Sequence, residues 1–385
     1  MQEDVYQQSL EMHKQHRGKI ETVSKVKLDS REAMSTAYTP GVAEPCREIA
    51  RDPSLAREYT LKRNTVAIVT DGTAVLGLGN IGALASIPVM EGKAAIFKEF
   101  ADVDAFPICL DTQDTEEIIK TVKLIAPVFG GINLEDISAP RCFEIEKRLR
   151  EELPIPVMHD DQWGAATVGL AGIINALKLT GQAKENVRVV FNGVGAAGVA
   201  SARLLSIYGI KDIIFVDSKG IIYNDRPGGL TAEKQELLDV STAEPSEGTL
   251  ADAVKGANIF YGVSFPGLLT QDMVRSMAKD PIIFALANPV PEILPDEAFA
   301  AGASIMATGR SDFPNQLNNA LIFPGVFKGM FEADIPQFTI EMFSSVGQAL
   351  ADSVVDLSPG KIIPTVFEPY VANVVKEAIK KFKQA

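Results

Sequence analysis

Short apolar runs alternate with segments of helical spacing along the second half of the chain, from about residue 187. The apolar runs are continuous, whereas a half-exposed strand would alternate apolar and polar residues. Continuous strands that alternate with helices indicate a parallel sheet with helices on both faces. The pattern therefore predicts an α/β fold with a doubly wound sheet, whose strands are VRVVFNG, DIIFVD (212–217), NIFYGVS (258–264), PIIFALANP (281–289) and SIMATG (304–309).

The first part of the chain repeats this alternation after a mostly helical, polar opening over residues 1–60. Its predicted strands are 64–72, 105–112, 130–137 and 155–161. A chain of 385 residues is too long for one ordinary core. We therefore expect an N-terminal α/β domain over residues 1–160, and a doubly wound domain with C-terminal helices over residues 161–385.

The charge balance limits the kinds of partner. The net charge is −13, and no run of five basic residues occurs. Nucleic acids and anionic membranes need a basic patch, so neither is an expected partner. No apolar run reaches transmembrane length. The polar N-terminus does not resemble a signal peptide, and the spacing of Cys46, Cys109 and Cys142 fits reduced thiols in the cytoplasm.

Histidine is scarce, with only His13, His16 and His159 in the chain. A histidine-rich zinc site is therefore nearly excluded. If the protein is an enzyme without a histidine dyad, its general base is a lysine, a tyrosine or a carboxylate.

Two glycine-rich loops have the G-x-G-x-x-G spacing of a dinucleotide-binding turn, at 75–82 and 192–198. A complete fingerprint also needs a strand before the loop, an uninterrupted helix after it, and an acid at the end of the next strand. The second loop has all three. It predicts a Rossmann-type NAD(P) site in which the pyrophosphate lies on the amides of the helix N-terminus, formed by Gly193, Gly195, Ala196, Ala197 and Gly198, with Asp217 at the ribose.

The first loop, VLGLGNIG, lacks that context. Pro88 and Gly92 are expected to interrupt the following helix, and the next segment brings a lysine instead of an acid. Two interpretations remain: a tight turn in the first domain, or a backbone cradle for the substrate.

Two pairs of acids stand at predicted strand ends, Glu135 with Asp136 and Asp160 with Asp161. Ligands of open α/β sheets bind at the carboxyl ends of strands. Carboxylates that converge without histidine or cysteine suit a hard cation such as Mg²⁺ or Mn²⁺. The alternative is that both pairs are solvated loop acids.

Other polar residues are ambiguous on pattern alone. Lys93, in MEGKAAIF, is either a surface charge or a base, and Tyr38, in AYTPGVAEP, is either a packing residue or an acid. Asn288 and Asn319 lie at or beyond strand ends, where most asparagines form turns.

Taken together, the motifs resemble those of the short bacterial malic enzymes, from about residue 15 to 380. Eight motifs occur in the order of that family: AYTPGVAEPC, TDGTAVLGLGNIG, PVMEGKAAIFKEF, GGINLEDISAPRCFEIE, HDDQWGAA, NGVGAAG, ANPVPEI and GRSDFPNQLNNALIFPG. The resemblance implies oxidative decarboxylation of L-malate to pyruvate and CO₂ with NAD(P)⁺ and Mg²⁺ or Mn²⁺. Decarboxylation of oxaloacetate and assembly as a homodimer are also expected.

By motif position, the resemblance implies that Glu135, Asp136 and Asp161 are the metal ligands. It implies that Lys93 is the general base at the C2 hydroxyl and Tyr38 the general acid at C3. To act as a base at neutral pH, Lys93 needs a pKa that falls from about 10.4 towards about 7–8. We expect burial and the bound dication to lower this pKa more than a neighbouring carboxylate raises it.

The remaining site residues follow from the same resemblance. Asp160 is the expected partner of Lys93 in catalysis. Asn288 and Asn319 are expected to contact the substrate, and Asn288 the cofactor as well.

The sequence departs from the family pattern at three positions. Trp163 and Ala165 replace the usual histidine and threonine of HDDQHGTA, which removes two polar side chains beside the expected metal. Ala74 stands where larger members carry an arginine. One substrate carboxylate is then held by Asn288, Asn319 or the amides of residues 77–82, which favours the substrate-cradle interpretation of VLGLGNIG.

Two other functions share part of the pattern. An amino-acid dehydrogenase also joins a substrate domain to a Rossmann domain and uses a glycine-flanked lysine, but it needs no metal. A non-catalytic nucleotide sensor would not need Lys93, Tyr38 and three ligand acids together. Asp217 favours NAD⁺ over NADP⁺, because a carboxylate repels a 2′-phosphate. Ser218 and Lys219 follow directly and could soften that preference.

Overall fold

Two separate parallel sheets organise the chain in a computed structural model, which describes residues 2–75 and 77–384. The first part contains α1 (Gln2–His16), α2 (Arg31–Ala37), α3 (Ala43–Arg51), α4 (Ala56–Tyr59), β1 (Thr65–Thr70), α5 (Gly82–Ala101), β2 (Asp104–Cys109), α6 (Thr115–Ile125), β3 (Gly131–Leu134), α7 (Arg141–Glu152) and β4 (Val157–His159). These strands form a four-stranded sheet in the order β2-β1-β3-β4, and all neighbours are parallel.

The second sheet has six strands in the order β10-β9-β8-β5-β6-β7. It is parallel except for the short edge strand β7. Its part of the chain comprises α8 (Asp160–Thr180), β5 (Arg188–Asn192), α9 (Ala196–Tyr208), β6 (Asp212–Asp217), β7 (Gly220–Ile221), α10 (Ala232–Asp239), α11 (Leu250–Val254), β8 (Ile259–Gly262), α12 (Gln271–Ser276), β9 (Ile282–Ala285), α13 (Pro295–Ala300) and β10 (Ile305–Thr308). The predicted doubly wound α/β class is confirmed.

Three C-terminal helices complete the fold: α14 (Phe323–Ala333), α15 (Ile340–Asp352) and α16 (Val371–Lys380). They do not extend the second sheet. α14 packs on α5 of the first part, and α15 packs on α8. The ring of Phe97 in α5 contacts Phe323 and Phe327 of α14, with centroids 4.7 and 5.6 Å apart. One continuous apolar core therefore includes residues of both sheets.

Helix α8 joins the two sheets and is buried along nearly its whole length. Its early residues were expected to end the preceding strand, but β4 stops at His159, and Asp160 and Asp161 begin the helix. Negative side chains are favoured there, because the N-terminus of a helix carries a partial positive charge. Every helix in residues 2–75 and 77–384 is too short or too polar to span a bilayer.

The predicted interruption of the helix after VLGLGNIG is wrong. α5 runs unbroken from Gly82 to Ala101 with Pro88 inside it. A proline removes the hydrogen bond to the carbonyl four residues earlier. That carbonyl belongs to Leu84, which is 83% exposed, so the lost bond falls on the solvent side of the first turns.

Candidate active site

A cavity of about 810 Å³ lies between the two sheets. Residues that follow the carboxyl ends of strands in both sheets line it. From the first sheet come Ala74, Glu135, Asp136 and Asp161, and from the second come Ser264, Asn288 and Gly309. The carboxyl edge of an open parallel sheet is where α/β proteins bind ligands.

Three carboxylates converge at one end of this cavity. Glu135, Asp136 and Asp161 each place one oxygen within 4.8 Å of the others. Asp136 has a left-handed backbone, with φ of +53°, which turns the chain sharply after β3. In that conformation its amide donates to Asp161 Oδ2 at 2.8 Å and ties the two loops together.

Two of the three carboxylates, those of Glu135 and Asp136, are costly to ionise where they stand, whereas the contacts of Asp161 with His159, Lys93 and the Asp136 amide outweigh its burial and lower its pKa. Burial, followed by the negative charge of Asp161, raises the pKa of Asp136 to about 7. Burial also raises the pKa of Glu135 well above its ordinary value, against the opposing charge of Lys93. Asp136 Oδ2 is buried and has no hydrogen-bond partner among the described residues. An all-oxygen donor set with an unpartnered buried oxygen fits Mg²⁺ or Mn²⁺.

Lys93 extends from α5 into the same cluster and is only 7% exposed. Its Nζ lies 2.5 Å from Asp160 Oδ2, forms an ion pair with Glu135, and stands 4.5 Å from the centre of the Phe323 ring. Burial lowers the pKa of Lys93, but the carboxylates of Asp160 and Glu135 raise it by more, so its pKa lies above the ordinary value. The pKa of Lys93 is thus shifted in the opposite direction from the one expected for the cation-bound protein. A lowered pKa of Lys93 with a bound cation stays a prediction.

Asp160 lies at the centre of this network and is fully buried. Its Oδ2 accepts hydrogen bonds from Lys93 and from the side-chain amide of Asn319. Asp160 thereby links Lys93, the expected base, to Asn319, an expected substrate contact. Gly164, one turn on in α8, leaves room for it, because a Cβ there would come within 2.0 Å of Asp160 Oδ1.

The turn at 193–198 has the predicted geometry. It joins β5 to α9, and Gly193 has φ of +112°. A Cβ on Gly198 would meet the Gly193 carbonyl at 2.3 Å, whereas a Cβ on Gly195 would have no described atom within 4 Å. The space at Gly195 is what the close approach of a pyrophosphate requires. Ala196 begins α9, and Ala197 lines the cavity.

The first glycine loop meets the cavity only through Gly77 among its described glycines. A Cβ on Gly77 would lie 2.7 Å from the Asn288 carbonyl. Gly77 and Asn288 therefore stand together on one cavity wall. This placement supports the substrate-side interpretation of the loop.

Asp217 ends β6, as predicted, next to the glycine turn. Its carboxylate is occupied, however, because Arg226 and Lys234 both donate to it.

Comparisons with known proteins agree with this arrangement along almost the whole chain. A family model described as "Malic enzyme, N-terminal domain" matches residues 17–118 and 112–150, and one described as "Malic enzyme, NAD binding domain" matches residues 163–380. The chain belongs to the malic enzyme family.

Individual relatives are similar in sequence and in structure. The chain is 52% identical to the bifunctional malic/malolactic enzyme of Bacillus subtilis, over 97% of this chain and 92% of that protein. It is 54% identical to the NAD-dependent malic enzyme of Geobacillus stearothermophilus, over 94% and 76% of the two chains. The crystal structure of the NAD-dependent malic enzyme from Thermotoga maritima superposes with a TM-score of 0.94 at 49% identity, covering 96% of this chain and 98% of that one.

Among the predicted catalytic, metal and substrate residues, all of which the structure describes, Tyr38 is the one that the fold does not bring to the others. It caps α2 and is 65% exposed. Tyr38 is not among the described residues that line the cavity. Lys93, Asp160, Asn288, Asn319 and the three predicted metal ligands do come together.

Trp163 is not among the described residues that line the cavity with the predicted metal ligands. Its Nε1 donates to Glu146 Oε1 at 2.8 Å, and its ring stacks on Phe343 at 5.1 Å. Of the two family departures in HDDQWGAA, only Ala165 lines the cavity. The Trp163 side chain therefore packs behind α8 and reaches Asp161 only through Glu146 and His159.

Sequence reasoning missed several residues around the site. Asn133 donates to Glu135 Oε2 at 2.9 Å, and Lys19 lines the cavity with its Nζ 2.6 Å from the Pro88 carbonyl. His159 Nε2 lies 3.2 Å from Asp161 Oδ2, and Gln162 Nε2 lies 3.2 Å from His159 Nδ1. The only sequence signal for Asn133 and His159 is a polar residue within a predicted buried strand.

Proposed function

We propose that this chain catalyses the oxidative decarboxylation of L-malate to pyruvate and CO₂, with reduction of NAD(P)⁺ and a requirement for Mg²⁺ or Mn²⁺. One observation carries the proposal. A single cavity contains a cluster of three acids, a buried lysine, and the first turn of the helix after the dinucleotide loop. A hard cation, a base and a hydride acceptor are what the oxidation of a 2-hydroxy acid needs.

Glu135, Asp136 and Asp161 would hold the cation, and Gly193, Gly195, Ala196, Ala197 and Gly198 would hold the pyrophosphate of the dinucleotide. A bound divalent cation supplies Lewis acidity at the C2 oxygen of the substrate. Asn288 and Asn319 line the same cavity and would hydrogen-bond malate there.

Lys93 takes the proton from the C2 hydroxyl while the hydride leaves C2. The lysine must be neutral to do so, and the surrounding carboxylates oppose this, because their negative charges favour the ammonium form. Charge neutralisation of Glu135 by a cation would remove one of these effects. Asp160 holds the amine through its hydrogen bond and so positions it.

The second half of the reaction breaks the C3–C4 bond of the oxo acid. CO₂ leaves, the bonding electrons form an enolate across C2 and C3, and a proton is delivered to C3. We assign that proton to Tyr38.

Since Tyr38 lies outside the cavity of its own chain, we propose that the protein is a homodimer in which Tyr38 enters the cavity of the partner. The N-terminal segment supports this. Helices α2 and α3 contain no buried residue. Large apolar side chains along the segment are exposed by more than half, including Tyr6, Leu10, Val23, Val26 and Leu28. Exposed apolar surface of this extent marks an interaction site.

We also propose the division into a substrate domain over 1–160 and a cofactor domain over 161–385, and a cytoplasmic location. Each sheet falls within one of these two ranges. Cys46, Cys109 and Cys142 are all unpaired, which supports a reducing compartment.

The test is turnover by the purified protein with L-malate and Mn²⁺, with NAD⁺ and NADP⁺ in turn, followed by cofactor absorbance and pyruvate release. EDTA should abolish the activity, and added Mn²⁺ should restore it. Asp136→Asn should abolish it in the folded protein. Asp356→Asn is a matched control, because Asp356 is exposed and also has a left-handed backbone, with φ of +58°. Full turnover in EDTA would contradict the proposal.

A further inference from the structure

Lys19, from the segment after α1, brings a second amine to the cavity that contains Lys93. These two are the only lysine or arginine residues among the described residues that line the cavity. The three predicted metal ligands give the same lining an excess of acids. Lys19 is partly buried, and the reaction described above assigns it no role.

The turn before Lys19 holds this residue against α5. Gly18 has a left-handed φ of +122°, and a Cβ there would come within 3.1 Å of Glu91 Oε1. The Lys19 amide donates to Glu91 Oε2 at 3.3 Å, and its Nζ donates to the Pro88 carbonyl at 2.6 Å. A Cβ on Gly92 would lie 3.6 Å from the same Nζ. The amine therefore lies on the part of α5 that leads directly to the expected base.

The ammonium group of Lys19 has donors that the fold leaves unused. Its bond to a backbone carbonyl of α5 is the only hydrogen bond that the side chain makes to the described residues, and an ammonium has three donors. Lys93, in contrast, faces Asp160 and Glu135. Burial lowers the pKa of Lys19, and the charge of Glu91 opposes this only in part. An anion beside the amine would favour its charged form.

The proposed substrate brings two negative charges into this acidic cavity. A divalent cation at the acid cluster would meet one carboxylate of malate together with the C2 oxygen. The other carboxylate needs a partner of its own. Asn288 and Asn319 can donate hydrogen bonds there but carry no charge, and Ala74 and Gly77 bring no polar side chain to the cavity wall.

We propose that Lys19 forms an ion pair with the malate carboxylate that the cation does not bind, and thereby selects dicarboxylic over monocarboxylic 2-hydroxy acids. The inference rests on the proposed function for the identity of the substrate. A 2-hydroxy acid chelates a cation through its C1 carboxylate, so the partner of Lys19 is the C4 carboxylate.

The C4 carboxylate is the group that leaves as CO₂, and its negative charge is lost as the C3–C4 bond breaks. The ion pair is therefore stronger with bound malate than in the transition state of that step. Interactions of this kind lower KM without raising kcat. Loss of the Lys19 charge should appear in KM.

Calorimetry in the presence of Mn²⁺ and NADH tests the ion pair without turnover, because the reduced cofactor cannot accept a hydride. The two probes are L-malate and L-lactate. L-lactate keeps the C1 carboxylate and the C2 hydroxyl, and has a methyl group in place of the carboxymethyl group of malate. The wild type should bind L-malate at least about tenfold more tightly than L-lactate.

Three variants assign that preference to the charge of Lys19. Lys19→Gln should weaken L-malate by about tenfold or more and change L-lactate by less than about threefold, which also shows that its site is intact. Lys19→Arg keeps the charge and should retain most of the preference. Lys279→Gln is the control, since it removes the same charge from a side chain that is 93% exposed and precedes β9.

Turnover gives a second readout. Lys19→Gln should raise the KM for L-malate by about tenfold or more and change kcat by less than about threefold. High salt should weaken L-malate binding more in the wild type than in this variant, because salt screens the ion pair.

A Lys19→Gln protein that binds L-malate as tightly as the wild type would overturn the proposal. So would a variant that loses affinity for L-malate and L-lactate equally, because Lys19 would then only hold the segment on α5. Failure of the proposed function looks different: the wild type would give no turnover with L-malate and either dinucleotide, whereas failure of this proposal leaves turnover with an unchanged KM in Lys19→Gln.

Discussion

At the scale of single residues, the acid cluster combines an electrostatic cost with a backbone requirement. Asp136 is 5% exposed and has a left-handed φ of +53°. Aspartate and asparagine tolerate that conformation better than most other residues with a side chain. Asparagine therefore keeps the loop and the side-chain shape, and removes only the charge.

The pKa of Asp136 gives a stability prediction. Its raised value favours the protonated form in the folded protein, so the associated stability is complete below pH about 4 and is lost as the pH rises through about 7. Above that pH the buried charge remains in the wild type and is absent in Asp136→Asn. We expect the metal-free variant to be more stable than the wild type by about 1–3 kcal/mol at pH 8, and about equal at pH 4. Urea unfolding at both pH values measures this.

With the cation bound at pH 8, the wild type should become more stable than Asp136→Asn. Mn²⁺ binds the ionised carboxylate, so its stabilising effect on the wild type should grow between pH 5 and pH 8. The Asp136→Asn protein should gain little from Mn²⁺ at either pH. If Mn²⁺ stabilises both proteins equally, the cation binds elsewhere. Asp356→Asn is the control and should behave like the wild type, because Asp356 is exposed and also has a left-handed backbone.

Lys93 gives the second prediction at this scale. Lys93→Ala removes the amine that faces Asp160 and Glu135 and should lower malate oxidation by about 10²–10⁴-fold. Small amines such as methylamine should restore part of the rate, because they supply a free base to the vacated space. Lys98→Ala, later in the same helix and 55% exposed, should retain the wild-type rate. A Lys93→Ala enzyme with nearly full activity would remove this lysine from the chemistry.

At the scale of elements, the strand–turn–helix unit of β5 and α9 allows a test of cofactor binding that should not disturb the fold. Gly195 has an ordinary φ of −80°, and a Cβ there meets no described atom within 4 Å. Gly195→Val should therefore fold normally and weaken NADH binding by at least about tenfold, since its side chain would occupy the place of the pyrophosphate. Fluorescence titration with NADH measures the change.

Gly360→Val is the matched control for that variant, because Gly360 also lies in open space and outside the left-handed region. It should bind NADH like the wild type. If Gly195→Val also binds NADH normally, the turn at 193–198 is not the cofactor loop. Gly79→Val makes a poorer control, because its φ of +76° would strain a valine regardless of any ligand.

At the scale of the whole molecule, the position of Tyr38 makes the subunit arrangement testable. Lys93→Ala and Tyr38→Phe should each be nearly inactive alone. If Tyr38 acts in the partner's cavity, subunits exchanged between the two variants form one intact site per mixed dimer. The mixture should then regain about a quarter of the wild-type activity.

Two outcomes would contradict this arrangement. If the activity after verified subunit exchange stays at the level of the separate variants, Tyr38 acts in the cavity of its own chain. A monomer by light scattering would contradict the dimer itself. Tyr38→Phe with an unchanged rate would show that another group protonates C3.

Local patterns in the sequence predicted most of the strands, the doubly wound class and the second glycine turn, because each depends on residues close together in the chain. The two pairs of acids at predicted strand ends indicated where carboxylates would converge, since parallel strands end at a common edge. The choice of Glu135, Asp136 and Asp161 among them came from the resemblance to the family. The continuity of α5 through Pro88 could not be read in this way, because it depends on which side of the helix faces solvent.

Only the tertiary structure decided which partners the charged groups have. Arg226 and Lys234 follow Asp217 by 9 and 17 residues in no regular pattern, yet both donate to its carboxylate and change the charge that a ribose would meet. Asp160 and Glu135 likewise raise the pKa of Lys93, a direction that no local pattern shows. The physical reason is that charge interactions and burial depend on distances in space, which the fold sets between segments that the sequence keeps far apart.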